Sequence, residues 1–216
     1  MTKIKICGLS RKKDITAVNQ YLPDFAGFVF ARSKRQVTMG QAEELISLLS
    51  PKICPVGIFV NEDPVRVVEI ARHCRLKVIQ LHGEEDCITA RRIKGQSGCK
   101  IWRAVRVKDR QSLHHISYDS ADRFLFDAYS AHGHGGVGKT FDWSLLQNVP
   151  KQQIILAGGL NLQNIIPAVR QIRPWAVDIS SGVETDGKKD PAKIKEIICT
   201  LREQEGARKE VWDEKR

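Results

Sequence analysis

The chain has 216 residues, a formal net charge of +10, 42% hydrophobic residues and six cysteines. That length accommodates one large domain with a full core, and no apolar run approaches the roughly 18 residues needed to cross a bilayer. Cys7, Cys54, Cys74, Cys87, Cys99 and Cys199 form neither a C-x-x-C pair nor a Cys/His cluster at zinc spacing, so reduced thiols in a cytoplasmic setting are expected rather than disulfides or a structural metal.

The N-terminus runs straight into strand-like sequence, without the basic and then apolar segments of a secretory signal. Its first stretch, Lys3-Ile-Lys-Ile-Cys-Gly-Leu9, is a period-2 run that stops at Cys7-Gly8. Such a run suits the lifting of a small nucleophilic or basic side chain out of the end of a sheet, because Gly8 allows the backbone to turn without a Cβ clash. A cysteine packed as a small hydrophobe is the plain alternative.

Short runs rich in Val, Ile and Phe recur at 3–7, 25–30, 56–60, 78–81, 100–105, 124–126, 154–157 and 176–179. Almost every gap holds a helical pattern, as a series of βα units requires. Four gaps keep an apolar stripe at i, i+3, i+4, i+7: Ala42, Leu45, Ile46, Leu49; Val67, Ile70, Ala71, Cys74; Leu162, Ile165, Ile166, Val169; and Ile194, Ile197, Ile198, Leu201. Thr38-x-x-Gln41 has the form of a capping box, and Asp63-Pro64 and Asp190-Pro191 each set an N-cap residue before a proline at the first helical position. The sixth helix, around 143–147, is expected to be barely a turn and a half.

Eight strands alternating with helices in about 200 residues is the arithmetic of a single (β/α)8 TIM barrel with a parallel eight-stranded core. It is expected over 1–205, with a frayed tail at 206–216 that is dense in charges of both signs. An open doubly wound sheet is the other candidate, but no G-x-G-x-x-G turn follows the first strand.

In such a barrel the residues just past each strand converge at the carboxyl ends. Cys7 follows the first strand, Arg32 to Arg35 the second, Gln80-Leu-His-Gly83 closes the fourth and Asp127 the sixth. An Asp after a strand is often a helix cap, yet here a glycine-rich loop follows, Ser130-Ala-His-Gly-His-Gly-Gly-Val-Gly-Lys139, able to bring backbone N–H groups to an anion. Gly158-Gly159 after the seventh strand and Ser180-Ser181-Gly182 after the eighth occupy positions where many barrels hold a phosphate. His132 and His134 lack a third ligand at a familiar spacing, so no metal is expected. His82 is expected to line the pocket, with a structural histidine as the alternative.

Taken together, Lys5-Ile-Cys-Gly-Leu9, Ser33-Lys-Arg-Gln-Val37, Gly57-Ile-Phe-Val60, Gln80-Leu-His-Gly83, Asp127, Gly135-Gly-Val-Gly-Lys-Thr-Phe-Asp-Trp143, Ala157-Gly-Gly-Leu160 and Asp178-Ile-Ser-Ser-Gly-Val-Glu184 closely resemble the phosphoribosylanthranilate isomerase family, in the family's order. The resemblance implies a (β/α)8 barrel, monomer or homodimer, that needs no cofactor and no metal and takes a small phosphosugar-anthranilate substrate in tryptophan biosynthesis. It implies that Asp127 is the general acid and Cys7 the general base of an Amadori rearrangement. It further implies substrate contacts from Arg35, Gln80, His82 and Asp178, and a phosphate resting on Gly136, Gly158, Gly159, Ser181 and Gly182. Two residues depart from the family pattern: Val137 stands where Thr or Ser is usual, and Lys34 where Pro is frequent.

Other phosphosugar barrels would call for a metal-ligand set or a pair of catalytic aspartates, where the first strand here offers a cysteine. A nucleic-acid binder driven by the positive charge would show clustered basic residues interleaved with exposed aromatics. The basic clusters at 11–13 and 32–35 lie instead at the active-site end, where they suit the steering of a doubly anionic substrate. Neither nucleic acid nor a membrane is expected as a partner.

Overall fold

The computed structural model describes residues 1–114, 116–128 and 140–213, with side chains described through residue 204. Eight parallel strands close into a barrel in sequential order: β1 (Lys3–Cys7), β2 (Phe25–Val29), β3 (Cys54–Phe59), β4 (Val78–Leu81), β5 (Lys100–Val107), β6 (Arg123–Ala128), β7 (Ile154–Leu156) and β8 (Ala176–Ile179). The ring closes where β8 pairs with β1, in a register that sets Lys5 opposite Asp178. This is the barrel the sequence predicts.

Helices α1 (Lys12–Tyr21), α2 (Met39–Ser47), α3 (Pro64–His73), α4 (Cys87–Ser97), α5 (Ile165–Ile172) and α6 (Pro191–Asp213) lie outside the ring. Their starts follow the expected capping chemistry. Thr38 and Gln41 each accept the other's backbone N–H, at 3.2 and 2.8 Å, Asp63 accepts from Val65 and Arg66, and Asp190 accepts from Ala192. Each cap satisfies donors that the first turn leaves without partners. After β5 and β6 the described residues form only 3-10 turns, Arg110–Leu113, Trp143–Leu146 and Lys151–Gln153. The last helix runs on to Asp213, past residue 205, where the sequence sets the end of the barrel domain.

Strand alternation divides the core in two. Ile4 and Ile6 point outward into a large cluster shared with the helices, while Cys7 points inward with Phe25, Ile58, Trp102, Leu125 and Ile155, as a period of two requires. Near the amino ends of the strands the interior is filled by aromatic rings: Phe25 meets Trp102 edge-on at 4.9 Å, Trp102 meets Trp175 at 5.8 Å, and the Arg123 guanidinium lies 4.5 Å from the Trp175 ring centre. That floor leaves space only at the opposite end, where the loops converge. Among the described residues, no helix is long and apolar enough to cross a membrane.

Between β8 and α6 a two-residue turn, Asp186-Gly187, joins the short antiparallel strands β9 (Glu184–Thr185) and β10 (Lys188–Lys189). Both turn residues have positive φ, 51° and 72°, as an Asp-Gly hairpin turn demands. This hairpin folds Glu184 and Lys189 back over the carboxyl end of β8.

Candidate active site

A cavity of about 500 Å³ opens at the carboxyl ends of the strands. It is lined by Cys7, Arg35, Gln80, His82, Asp127 and Asp178, together with Gly158, Gly159, Ser180 and Ser181. Ten of the eleven expected site residues are therefore accounted for with Gly182, which abuts the cavity loops without lining it; Gly136 lies outside the described residues, as do His132, His134 and Val137. Lys34 is exposed. Among the described residues no group of three or more His, Cys, Asp or Glu is placed to hold a metal ion.

Cys7 reaches its place through two glycines. Gly8 turns with φ +82°, and a side chain there would run into Arg35. Gly27, the register partner of Cys7 on β2, has no Cβ, and one added there would stand 2.9 Å from the Cys7 sulfur. Gly27 is not among the expected site residues, although a lone glycine inside an apolar strand signals a close approach of this kind. The Cys7 carbonyl also accepts the Ser180 hydroxyl at 3.1 Å.

Charge around Cys7 is dense and paired. The Lys5 ammonium, fully buried two residues earlier on the same inner face, lies 2.9 Å from Asp178 Oδ1. Burial pushes the Cys7 thiol up, and the Asp178 carboxylate adds to that, while Lys5 and then Lys189 pull it down; the net direction is up. Burial opposes the charge of Lys5, yet Asp178 and Cys7 more than restore it, so its ammonium lies above the ordinary lysine value. Burial also raises the Cys99 thiol, and it pushes Cys54 and Cys74 each up to about 11.

Arg35 is held by both oxygens of Glu184, at 2.7 and 2.8 Å. Glu184 also takes the Lys189 ammonium at 2.6 Å, and Lys189 donates to the Ser180 carbonyl at 2.9 Å. Burial works against the Glu184 charge, but hydrogen bonds from Arg35 and Lys189 prevail and hold its pKa at about 2. Burial lowers Lys189 despite this pairing. Lys5, Glu184 and Lys189 were not singled out as site residues by sequence. The Asp-Gly turn flanked by Glu-Thr and Lys-Lys was the available signal for the last two.

Asp127, at the carboxyl end of β6, is nearly buried, and its carboxylate has room because Gly158 carries no side chain: a Cβ there would stand 2.9 Å from Asp127 Oδ1. His82 Nε2 lies 3.5 Å from Asp127 Oδ2, and His82 Nδ1 lies 3.0 Å from Gln80 Nε2. Gln80 is almost wholly buried. The Gly159 carbonyl is held by the side-chain amides of Asn161 and Asn164, at 3.2 and 2.9 Å. Gly182 packs so closely on Leu160 that a side chain would meet its carbonyl oxygen, which joins the loops after β7 and β8 into one surface.

Residues 4–200 match the family model of N-(5'-phosphoribosyl)anthranilate (PRA) isomerase. An N-(5'-phosphoribosyl)anthranilate isomerase from Acetivibrio thermocellus is 48% identical over 214 residues, covering 95% of this chain and 98% of the relative. Among solved structures, one of monomers generated from the dimeric phosphoribosylanthranilate isomerase of Thermotoga maritima superposes with a TM-score of 0.80 at 35% identity, covering 92% of this chain and 97% of that one. A phosphoribosyl anthranilate isomerase in complex with reduced 1-(o-carboxyphenylamino)-1-deoxyribulose 5-phosphate also superposes with a TM-score of 0.80, at 33% identity and with the same coverage.

Proposed function

The chain belongs to the N-(5'-phosphoribosyl)anthranilate isomerase family of tryptophan biosynthesis, and we propose that Cys7 is the base and Asp127 the acid of its Amadori rearrangement. The observation that carries these roles is the convergence of the two side chains, 120 residues apart in sequence, on one cavity. Their strands, β1 and β6, stand three positions apart around the ring.

The reaction converts N-(5-phosphoribosyl)anthranilate to 1-(2-carboxyphenylamino)-1-deoxyribulose 5-phosphate. Asp127 gives its proton to the ribose ring oxygen as the C1–O bond breaks, and the nitrogen lone pair forms the Schiff base. The Cys7 thiolate then removes the C2 proton, and the freed pair forms the C1–C2 double bond while the nitrogen recovers its own electrons. The enolamine takes a proton at C1 and loses its C2 hydroxyl proton to become the ketone. No step requires a cofactor or a metal. A thiol suits C2 abstraction because its ordinary pKa of about 8.5 lies near working pH and responds to neighbouring charge. Here burial and Asp178 raise it, and the ammoniums of Lys5 and Lys189 are the charges that pull it down.

Arg35, Gln80, His82 and Asp178 form the wall that would receive the substrate's anthranilate and ribose parts. For Arg35 to take a substrate carboxylate it must share its guanidinium with Glu184. The phosphate would rest on Gly158, Gly159, Ser181 and Gly182, with Gly136 contributing from the sixth loop. Close packing of Gly182 on Leu160 supports a single anion cradle built from the loops after β7 and β8. Six unpaired cysteines support a reducing, cytoplasmic setting, and either a monomer or a homodimer would present the same cavity.

Mixing the protein with phosphoribosylanthranilate and following the loss of anthranilate-type fluorescence tests the reaction. Steady loss without added nucleotide or metal is expected. Fluorescence that stays constant, or that falls only after a metal is restored to chelator-treated protein, would overturn the reading.

A further inference from the structure

Gln80 is a polar side chain, 1% exposed, on a strand whose other residues, Val78, Ile79 and Leu81, are buried and apolar. Its amide is only half satisfied: Nε2 lies 3.0 Å from His82 Nδ1, while Oε1 is buried without a partner. A methionine or leucine would fill the same volume without stranding a carbonyl oxygen, so packing alone does not account for glutamine here.

Residues two apart in extended backbone share a face, and Gln80 on β4 and His82 just past its end use that relation. An amide nitrogen has no lone pair to accept with, so the contact requires Gln80 to donate and His82 Nδ1 to be bare. A neutral imidazole with bare Nδ1 carries its proton on Nε2, the nitrogen 3.5 Å from Asp127 Oδ2. The ring's backbone is anchored on both sides, its N–H donating to Phe59 and its carbonyl accepting from Arg106.

We propose that Gln80 is a positioning residue that fixes His82 in the Nε2–H tautomer, so that the ring presents a donor to the Asp127 carboxylate. The inference rests on Asp127 being the acid. When Asp127 delivers its proton to the ring oxygen, the electrons of the O–H bond stay on the carboxylate, and the Nε2–H contact, long in the empty site, tightens on that charge. A bare Nε2 would offer the spent acid a lone pair instead and repel it.

Ring-15N-histidine NMR of the full-length, substrate-free protein at about pH 8, above the usual imidazole titration, reads the tautomer directly, with the His82 signals assigned by their loss in His82→Asn. A proton on Nε2 and a bare Nδ1 are expected. Gln80→Glu, whose carboxylate only accepts, should move the proton to Nδ1 and lower kcat about tenfold or more with a smaller change in KM. Gln80→Met should give a mixture of tautomers. A native proton on Nδ1 would overturn the proposal, as would a Gln80→Glu variant with unchanged tautomer and kcat. If Gln80→Glu fails to fold, the native spectrum and Gln80→Met decide. The two readings fail separately: an inactive native enzyme with Nε2–H would sink the isomerase roles, and an active one with Nδ1–H would sink only this inference.

Discussion

Lys5 and Asp178 meet across the seam that closes the barrel, Nζ to Oδ1 2.9 Å, with the lysine side chain fully buried and the carboxylate nearly so. A buried pair of this kind contributes little relative to two well-packed apolar residues, but removing one partner strands the other charge.

Lys5→Met should therefore lower unfolding free energy by about 3–5 kcal/mol. Lys5→Met/Asp178→Asn, which removes both charges, should recover most of that loss. Urea denaturation at neutral pH checks both. Equal stabilities for the single variant and the native protein would show that the pair is not an isolated buried charge couple.

The Arg35–Glu184–Lys189 cluster predicts an acid-side loss of stability. Glu184 is held at about 2 against an ordinary 4.5, so the folded state binds its proton less readily than the unfolded chain does. The stability it contributes is complete above about 4.5 and is lost as pH falls from there toward about 2. Glu184→Gln removes this group's titration, and urea midpoints taken through that window should fall less steeply with pH than those of the native protein. Parallel curves would mean that the cluster does not set the carboxylate's protonation.

Phosphate should stabilise the native protein by mass action, since the proposed cradle would exist only in the folded state. Gly159 stands at φ +62° with its carbonyl pinned by Asn161 and Asn164. Gly159→Leu should abolish most of the thermal shift caused by inorganic phosphate, while its own melting temperature in chloride of equal ionic strength falls less. A full phosphate shift in Gly159→Leu would remove this loop from the anion site.

Much of the barrel was legible in the sequence because its signals are local. The apolar runs at 78–81 and 176–179 coincide with β4 and β8, and the capping pairs at Thr38, Asp63 and Asp190 need only neighbours within three residues. Where apolar runs are broken, bounds slip: the run at 100–105 stops at Arg106, whereas β5 continues through it to Val107, and an arginine ends a hydrophobic pattern although it does not end a strand. The helical gaps after β5 and β6 hold short 3-10 turns in the described residues because they lack an apolar stripe long enough for a helix. Most opaque were the charge pairs. In the alternation Lys3-Ile-Lys-Ile, Lys5 looks like a half-exposed position, and its burial is intelligible only once Asp178, 173 residues away, stands opposite it. Arg35 and Glu184 are likewise 149 residues apart.

The proposed division of acid and base between Asp127 and Cys7 makes the sharpest prediction. Ring opening needs a proton delivered to oxygen and isomerisation needs one removed from carbon, so loss of either group should leave binding and folding largely intact while blocking one step. Removal of a positioned acid or base costs about 100-fold to 10,000-fold, and Cys7→Ala and Asp127→Asn should each lower kcat by at least about 100-fold while retaining the phosphate-induced thermal shift. Cys54→Ala, Cys74→Ala and Cys99→Ala are the controls, since those residues stand at the start of β3, at the end of α3 and just before β5, away from the cavity. The thiol offers a second, independent reading. Burial and Asp178 hold Cys7 above the ordinary thiol value of about 8.5 in the free enzyme, so alkylation of Cys7 by iodoacetamide, which requires the thiolate, should still be climbing at that pH. An alkylation rate that levels off below about pH 8 would mean that Lys5 and Lys189 outweigh burial. Near-native turnover in Cys7→Ala, together with loss in one of the control variants, would force the base to be sought elsewhere in the barrel.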